Sequence, residues 1–344
     1  MKILTFIIPA YNSGEFLERC VDSIPLETLG DRLEVLIVND GSGDTTGAIA
    51  ERYAAAYPEC VRVIHQENRG HGGAVNAGCA AATGKYMKII DADDRVETKA
   101  VPAFLNALGH CDSDVVLTHY RTEHIATGEN LIWRSYPGVF GRIYSLAEMM
   151  ERWKDFDRVL TFHGITYKTS FHRRFAMPLT EGVFYEDHEY AAFPCCMAQN
   201  LMPLDLILYR YRIGDAAQSV SEENRLRRIG DTEAVLRSLI AQYRTRQEEM
   251  TAAGRIYVQR KIRGLLMSHL IMCLLGNPDR ANGRKRARTM MEFMRVRAPE
   301  VSKQIGSRYG VLQILHMLGV RKHVLEWVLH WDVYNRLRRN HDYV

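Results

Sequence analysis

The sequence predicts an α/β fold in which a mostly parallel sheet is flanked by helices and is followed by a helical C-terminal subdomain. In the first 118 residues, short apolar runs alternate with segments of helical periodicity. Alternation of strands and helices favours a parallel sheet with helices on both faces. From about residue 222 onward the patterns are helical, with breaks at Asn277-Pro278 and Ala298-Pro299.

Five apolar runs are predicted to be buried strands, and a helix is predicted after each of the first four. The strands are Ile3–Ile8, Val35–Val38, Val61–Ile64, Tyr86–Ile90 and Val115–Thr118. The helices cover about residues 13–24, with Ser13 as the N-cap, and about residues 44–57, 72–82 and 99–108.

A different pattern begins after residue 118. Tyr120–Ile125 and Leu131–Tyr136 flank a Thr-Gly-Glu-Asn sequence that is typical of a β-hairpin. Ser145 and Glu148 are spaced as a capping box at the start of a short helix. A chain of 344 residues is long enough for two or three subdomains. We therefore divide it into residues 1–118, 119–221 and 222–344.

The composition predicts a globular protein with reduced thiols. The seven cysteines are scattered and include no C-x-x-C pair, which argues against a zinc site or a disulfide framework. The best candidate for a transmembrane segment, Leu265–Leu275, is far too short to span a bilayer. The N-terminal apolar run ends at Pro9 and is too short for a signal peptide. A cytoplasmic location is therefore expected.

Clustered carboxylates follow the fourth predicted strand. Asp91, Asp93 and Asp94 are expected at the carboxyl edge of the sheet, where open α/β sheets bind ligands. Carboxylates this close repel one another unless a cation compensates them. A divalent metal bound to a substrate diphosphate would do so, because Mg²⁺-like ions favour one or two carboxylates plus phosphate oxygens. A solvated acidic turn is the alternative.

Polar turns also follow the first three strands. They are Pro9-Ala10-Tyr11-Asn12, Asn39-Asp40-Gly41-Ser42 and the glycine-rich stretch Asn68–Gly78. Each could be an ordinary turn, but four polar turns at one sheet edge would converge on one cleft. Tyr11 would offer a stacking face there, and Asp40 an acceptor for base or ribose groups. There is no GxGxxG after the first strand and no GxxxxGK[ST], which weighs against NAD-type and P-loop sites.

Together these segments resemble the family-2 glycosyltransferases, whose GT-A fold has a Rossmann-like sheet. The resemblance covers about residues 1–220. Its motifs are Pro9-Ala10-Tyr11-Asn12, Val38–Ser42, Asn68-x-Gly70, Ala74-x-Asn76-x-Gly78, Gly84-x-Tyr86, Asp91-x-Asp93-Asp94, Glu186-Asp187 and Tyr209–Gly214. Val75 stands where many members have arginine, so the role of that arginine is not carried over. The Gln-x-x-Arg-Trp motif of processive synthases is absent, and we expect transfer of one sugar per encounter.

The resemblance implies a role for each matching position. Residues that would line the nucleotide pocket are Pro9, Tyr11, Asn12, Asp40, Asn68 and Gly70. Asp91 would lie near the ribose or the metal, Asp93 would ligate Mn²⁺ or Mg²⁺, and Asp187 would be the general base. Supporting roles would fall to Asp94, Glu186, His71 and Arg212.

The chemistry of an inverting transfer agrees with this division of roles. One base must deprotonate the acceptor hydroxyl, and a Lewis acid must neutralise the departing diphosphate. The base lies across the sugar from the metal, so a distant segment such as the one carrying Asp187 should supply it. Asp187 could instead be a first-turn helix carboxylate. His71 could contact a phosphate or be structural, and Arg212 could meet the diphosphate or be a sheet-edge cation.

The resemblance implies a UDP-sugar donor and a saccharide acceptor, lipid-linked as in bacterial cell-surface polysaccharide synthesis. Residues 255–344 carry 18 Lys and Arg against 6 Asp and Glu. Basic clusters at 284–288 and 336–339, with an apolar face at 324–331 between them, favour either of two roles. One is peripheral attachment to the anionic inner face of the plasma membrane. The other is packing on the catalytic domain or in a homodimer. No nucleic-acid motif is present.

Two other functions compete with this interpretation. A sugar nucleotidyltransferase also combines such a sheet with carboxylates and a metal, but it would carry a glycine-rich basic loop after the first strand, where this chain has Pro9-Ala10-Tyr11-Asn12. A catalytically silent nucleotide-sugar-binding or scaffold protein is the second competitor. The intact Asp93 and Asp187 count against it.

Overall fold

The computed structural model of this chain describes residues 2–135, 138–214 and 222–322. The chain divides into two compact units. The first covers residues 1–221 and 241–258, and the second covers residues 222–240 and 259–344. All seven cysteines are free and buried.

A nine-stranded sheet organises the first unit, with the strand order β3-β2-β1-β4-β8-β6-β9-β5 and with β7 paired to β6. The strands are β1 (Leu4–Ala10), β2 (Leu33–Asp40), β3 (Val61–Gln66), β4 (Tyr86–Ile89), β5 (Arg95–Val96), β6 (Val115–His124), β7 (Asn130–Trp133), β8 (Ile165–Lys168) and β9 (Leu201–Ile213). Helices flank the sheet, so the predicted fold class is confirmed.

The helices follow the predicted order. They are α1 (Leu17–Asp22), α2 (Leu26–Leu29), α3 (Thr46–Ala56), α4 (Gly70–Ala81), α5 (Val101–His110), α6 (Leu146–Glu151), α7 (Trp153–Phe156), α8 (Thr169–Phe175), α9 (Asp187–Ala192), α10 (Glu222–Arg227), α11 (Ile229–Arg246), α12 (Ala252–Ile271), α13 (Arg280–Arg297) and α14 (Pro299–Met317). The capping box of Ser145 and Glu148 is present at the start of α6.

The four N-terminal strands are parallel, as predicted, because β1 pairs in parallel with β2 and β4, and β2 with β3. β1 and β2 are buried along their whole length. α4 packs closely on this core: a Cβ on Gly78 would lie 2.2 Å from Cγ2 of Ile7. This close approach fixes the N-terminal end of α4 near the carboxyl ends of the strands.

Two local predictions are wrong. The fifth predicted strand, β6, does not continue the parallel series next to β4, because the antiparallel strand β8 lies between them. Ser13 is not the N-cap of α1, which begins at Leu17 after a turn. The hydroxyl of Ser13 donates to the carbonyl of Tyr11 (3.1 Å), and this contact directs it away from the helix. The predicted hairpin is confirmed as β6–β7, although Tyr136 lies outside the described residues.

The second unit is helical, and both predicted breaks are present. Asn277 follows a π-helical turn at residues 272–276, and the side chain of Asp279 caps α13 by accepting from the N–H of Asn282 (2.9 Å). Pro299 begins α14, where its missing N–H costs nothing. The apolar face at 324–331 and the basic cluster at 336–339 lie outside the described residues.

The buried ring of His172 in α8 predicts an acid-sensitive fold. Burial and the charge of Arg173 lower its pKa to about 3, whereas an unfolded histidine has a pKa of about 6.5. The neutral ring therefore contributes stability above pH 6.5 or so, and this contribution is lost as the pH falls towards 3. We expect His172→Phe to flatten the pH dependence of the unfolding free energy by up to about 1.4 kcal/mol per pH unit below the unfolded pKa.

Urea unfolding of wild type and His172→Phe at about pH 7 and about pH 5 measures this difference. His110 is exposed at the end of α5, so His110→Phe is the matched control and should keep the wild-type slope. A slope that is unchanged in His172→Phe would mean that the ring takes up its proton in the folded state.

Candidate functional site

The turns after β1 and β2 are tied together by hydrogen bonds. The N–H of Asn12 donates to Oγ of Ser42 (3.0 Å), and the N–H of Gly43 donates to Oδ1 of Asn12 (2.9 Å). Asn12 has a φ of +46°, a conformation that asparagine tolerates better than most residues. Beside it, the ring of Tyr11 is 52% exposed and Pro9 is buried at the end of β1. The two turns thus form one edge with an exposed aromatic face.

Asp40, at the end of β2, has an unsatisfied oxygen. Its Oδ1 accepts from Nε2 of Gln66 (2.7 Å) and from the N–H of Arg69 (2.9 Å). Its Oδ2 is buried without a hydrogen-bond partner among the described residues. Such an orphaned acceptor is costly unless a ligand supplies a donor. Nearby, Oδ1 of Asn68 accepts from the N–H of Gly70 (3.1 Å), which shapes the turn into α4.

Asp94 is a fully buried carboxylate that is held by β9. Its Oδ2 accepts from the hydroxyl of Tyr209 (2.6 Å) and its Oδ1 from the N–H of Arg212 (2.7 Å). The same tyrosine oxygen accepts from the N–H of Asp91 (3.1 Å). Burial, with the charges of Asp93 and Asp91, raises the pKa of Asp94 well above its ordinary value. The acidic turn is therefore built into the core of the sheet and is not a solvated loop.

His71, in the first turn of α4, lies between two carboxylates. Its Nε2 is 2.9 Å from Oδ1 of Asp91, and its Nδ1 is 2.5 Å from Oε1 of Glu186. Burial lowers the pKa of the ring, but the hydrogen bonds and charges of Asp91 and Glu186 outweigh this effect and raise the pKa well above its ordinary value. The raised pKa favours the protonated ring, which joins two segments that are far apart in the sequence.

The loop before α9 is held firmly against α4. Nδ2 of Asn76 donates to the carbonyl of Leu179 (3.0 Å), whose N–H donates back to Oδ1 of Asn76 (2.9 Å). Glu189 accepts from the N–H (2.7 Å) and the hydroxyl (2.8 Å) of Thr180. Asp187 follows in the first turn of α9, where the helix dipole favours a carboxylate. Asp187 is therefore a first-turn helix carboxylate, and this position is compatible with a chemical role as well.

The charge of Asp187 acts on the same tyrosine ring as the charges of the aspartate cluster. Burial raises the pKa of Tyr211, and the charges of Asp94, Asp91, Asp187 and Asp93 raise it further. Four carboxylates from two segments that are far apart in sequence therefore act on one ring. The structure brings together the acidic residues that the sequence analysis singled out.

His163 is part of this cluster, and the sequence analysis missed it. Its ring stacks on Tyr211 with centroids 4.2 Å apart. Burial lowers its pKa to about 4, so the ring is neutral and keeps a free lone pair. Ligand atoms of Asp91, Asp94 and His163 lie within 4.8 Å of one another, the one group in the described chain that could hold a metal ion. Asp93 is not part of this group.

Lys88, on β4, is a second residue that the sequence analysis missed. It is fully buried and donates from Nζ to the carbonyls of His163 (2.7 Å) and Ile165 (3.2 Å). Burial lowers its pKa to about 7. A lysine inside an apolar strand was a usable signal, whereas His163 carries none, because it is a lone histidine between Phe162 and Gly164.

Two predicted residues make contacts that the sequence did not predict. The guanidinium of Arg212 lies over the ring of Phe16, 4.7 Å from its centroid. The carbonyl of Asp93 accepts from Nη2 of Arg19 (2.9 Å). α1 is thereby linked to both the acidic turn and β9.

Comparison with known proteins identifies the family of the N-terminal part of the chain. Residues 5–173 match the family described as glycosyl transferase family 2. This segment is a family-2 glycosyltransferase domain. The uncharacterized glycosyltransferase YibD of Escherichia coli K12 is 39% identical over 134 residues, which is 39% of this chain and 38% of YibD. Chondroitin synthase of Escherichia coli is 35% identical over 136 residues, which is 40% of this chain and 19% of the synthase.

A solved structure shows the same fold over nearly the whole chain. The crystal structure of Staphylococcus aureus TarS residues 1–349 in complex with UDP-GlcNAc has a TM-score of 0.62 and 16% identity, and 93% of each chain is covered. The matches with the sequence relatives are shorter. They cover about two-fifths of the length of YibD and about one-fifth of the length of chondroitin synthase. Among the described residues, no helix combines the length and apolar character needed to cross a membrane.

The Tyr209 hydroxyl is predicted to stabilise the acidic turn. Tyr209→Phe would remove the donor to Asp94 and the acceptor for the N–H of Asp91, leaving buried groups unsatisfied. We expect a loss of about 2–3 kcal/mol in the free energy of unfolding, as measured by urea titration. Tyr53→Phe removes a tyrosine–carboxylate contact with Asp22 that is partly exposed, and this control should cost under about 0.5 kcal/mol. Equal losses in the two variants would contradict a special role for Tyr209.

Proposed function

We propose that this chain is a metal-dependent, inverting glycosyltransferase that moves one sugar from a nucleotide sugar to an acceptor hydroxyl. One observation carries the proposal. Asp91 and Asp94 lie beside the ring of His163, and the charges of Asp91, Asp94 and Asp187 act on the ring of Tyr211, which stacks on His163. Residues 1–118 would bind the donor, residues 119–221 would carry the base and the acceptor side, and residues 222–344 would form a separate basic, helical part.

The donor in this proposal is a UDP-sugar. The unsatisfied Oδ2 of Asp40 offers an acceptor for an N–H or O–H of the nucleoside, and the exposed ring of Tyr11 offers a face on which a base can stack. Asn12, Asn68 and Gly70 shape the backbone around this pocket, and Pro9 forms its floor. The fold shared with TarS, which was solved with UDP-GlcNAc, supports the same donor class.

The acidic cluster fits a divalent cation such as Mn²⁺ or Mg²⁺. Carboxylate oxygens are the ligands that these ions favour, and neutral imidazole is an acceptable additional ligand. Asp93, as the family resemblance implies, together with Asp91 and His163, would hold the ion; Asp94 is already bonded to Tyr209 and to the backbone of Arg212. When bound, the ion would neutralise charge on the diphosphate leaving group.

Asp187 is the proposed general base. In an inverting transfer the acceptor oxygen attacks the anomeric carbon as the bond to the diphosphate breaks, and the acceptor proton passes to the base. Asp187 is on α9, a different segment from the one that would hold the donor diphosphate. It lies in the first turn of α9, where the helix dipole favours a negative charge. Glu186 beside it is buried against His71 and is a supporting group.

The proposed acceptor is a saccharide, lipid-linked as in the synthesis of bacterial cell-surface polysaccharides. In the second unit, Arg286 of the predicted basic cluster pairs with Glu233, and the exposed Arg288 pairs with Glu292. Arg284 and Lys285 are also exposed. Apolar side chains on the last turns of α14 are also exposed, namely Val311, Ile314, Met317 and Leu318. Exposed apolar groups beside cations support peripheral contact with an anionic membrane at its cytoplasmic face.

Sedimentation with lipid vesicles tests the membrane contact. We expect the chain to sediment with vesicles that contain phosphatidylglycerol and not with pure phosphatidylcholine, because each basic residue near an anionic surface contributes about 1 kcal/mol. Ile314→Glu should weaken the binding, whereas Ser307→Glu, on the polar part of the exposed face, should change it less. Binding that is the same for both lipids, or unaffected by Ile314→Glu, would reject this part of the proposal.

Nucleotide binding tests the donor site. UDP with Mn²⁺, at about 100 times its dissociation constant, should stabilise the chain by about 2.7 kcal/mol in thermal unfolding, and GDP, CDP and dTDP should stabilise it less. Asp93→Ala should lose the Mn²⁺-dependent part, and Asp40→Asn should weaken the preference for UDP. No stabilisation by any nucleotide would favour a scaffold function.

Asp187→Asn separates binding from chemistry in the same experiment. It should keep the UDP stabilisation and should lower sugar transfer by about 10²- to 10⁴-fold, the usual contribution of a general base. Glu15→Gln, at an exposed position in the turn before α1, is a control that should change neither property. Full activity of Asp187→Asn would assign the base elsewhere.

A further inference from the structure

A bridge runs from Glu186 through His71 to Asp91 and connects the loop before α9 to the turn after β4. Its two contacts are 2.5 Å and 2.9 Å long. Each ring nitrogen lies within hydrogen-bonding distance of a carboxylate oxygen, so one side chain connects the two segments. Glu186 is 3% exposed. A buried carboxylate of this kind needs a hydrogen-bond partner, and His71 supplies one.

The backbone around His71 is shaped so that the loop before α9 can approach it. Gly70 has a φ of +75°, and a Cβ on it would lie 2.9 Å from the nitrogen of Gly182. A Cβ on Gly72 would lie 2.5 Å from the carbonyl oxygen of Thr180 and 3.0 Å from Cγ of Glu186. Glycines on both sides of His71 thus let the loop lie directly on the first turn of α4. The imidazole of His71 then lies between Glu186 and Asp91.

Removal of His71 would affect the two segments unequally. Asp91 is also held by Tyr209 through its N–H and is partly exposed, so it can be solvated. Glu186 is buried and directly precedes Asp187 at the start of α9. Without the imidazole ring, Glu186 must either stay buried without this hydrogen-bond partner or move towards water. Either change displaces or loosens the residue that follows it.

We infer that His71 is a positioning residue: it ties Glu186 to Asp91 and thereby sets the place of Asp187 relative to the donor site. This inference rests on the proposed role of Asp187 as the base. His71 touches neither donor nor acceptor in this account. It acts through the carboxylates of Glu186 and Asp91. The geometry of the acceptor side therefore depends on Asp91, the residue that would lie beside the donor diphosphate.

Hydrogen exchange tests the inference without an activity assay. In His71→Ala, amides in residues 179–192 should exchange about tenfold faster than in wild type, because the local opening free energy falls. The matched control is Glu181→Gln, which removes the ion pair of the same loop with Arg69 (2.5 Å). That pair is exposed and contributes little, so the control should exchange as wild type does. Unchanged exchange in His71→Ala would overturn the inference.

Steady-state kinetics provide a second measurement that a merely structural role would not reproduce. The probe is release of UDP from UDP-GlcNAc, with Mn²⁺ present and water as the acceptor. His71→Ala should lower kcat by about 100-fold while KM for the donor changes by less than about threefold. Adding Glu186→Gln to His71→Ala should cause no further loss, because both changes break one connection. A large rise in KM with unchanged kcat would instead make His71 a donor-binding residue and reject the inference.

His71→Gln keeps the variant series informative if His71→Ala folds poorly. Glutamine has a similar size and one amide group, so it can donate to one carboxylate at a time and should give an intermediate kcat and an intermediate exchange rate. If wild type itself releases no UDP, the donor proposal fails, whereas the exchange experiment still decides whether His71 holds the loop. Equal behaviour of His71→Gln and wild type in both measurements would contradict the bridge.

Discussion

The need to compensate clustered negative charge at one edge of the sheet governs the site. The charges of Asp91, Asp94 and Asp187 act on the ring of Tyr211, and like charges in a partly buried place repel one another. Within the described residues, the ring of His71 lies between two carboxylates of this region, those of Asp91 and Glu186. In the proposed function, a divalent cation would supply further compensation and would also neutralise the donor diphosphate.

Much of the fold serves to place hydrogen-bond donors at this edge of the sheet. β9 crosses the sheet so that the hydroxyl of Tyr209 and the backbone of Arg212 reach Asp94. α4 lies close on β1 because Gly78 has no side chain, and its first turn brings His71 to Asp91. Lys88 holds the backbone on which His163 is placed. The parts are therefore interdependent: the acidic turn is stable because distant segments satisfy it, and those segments are positioned by the same contacts.

The sequence predicted the parts of this arrangement that depend on local patterns. Continuous apolar runs identified β1 to β4, and polar residues directly after them identified the edge that carries Asp40 and Asp91. The long-range parts were not accessible. The insertion of β8 between β4 and β6 depends on a crossover that no local pattern encodes. The Ser13 cap was wrong because its hydroxyl binds Tyr11. His163 is isolated in sequence, and its role arises only from contact with strands far along the chain.

A crystal structure of the full chain with UDP and Mn²⁺ would test the central claim most directly. We expect the ion to be bound by the carboxylates that follow β4 and to contact the diphosphate. It also predicts the uracil or ribose within hydrogen-bonding distance of Oδ2 of Asp40. Asp187 should face the open side of the diphosphate, with His71 still between Asp91 and Glu186. A nucleotide bound away from this edge, or an ion held without any of its carboxylates, would contradict the account.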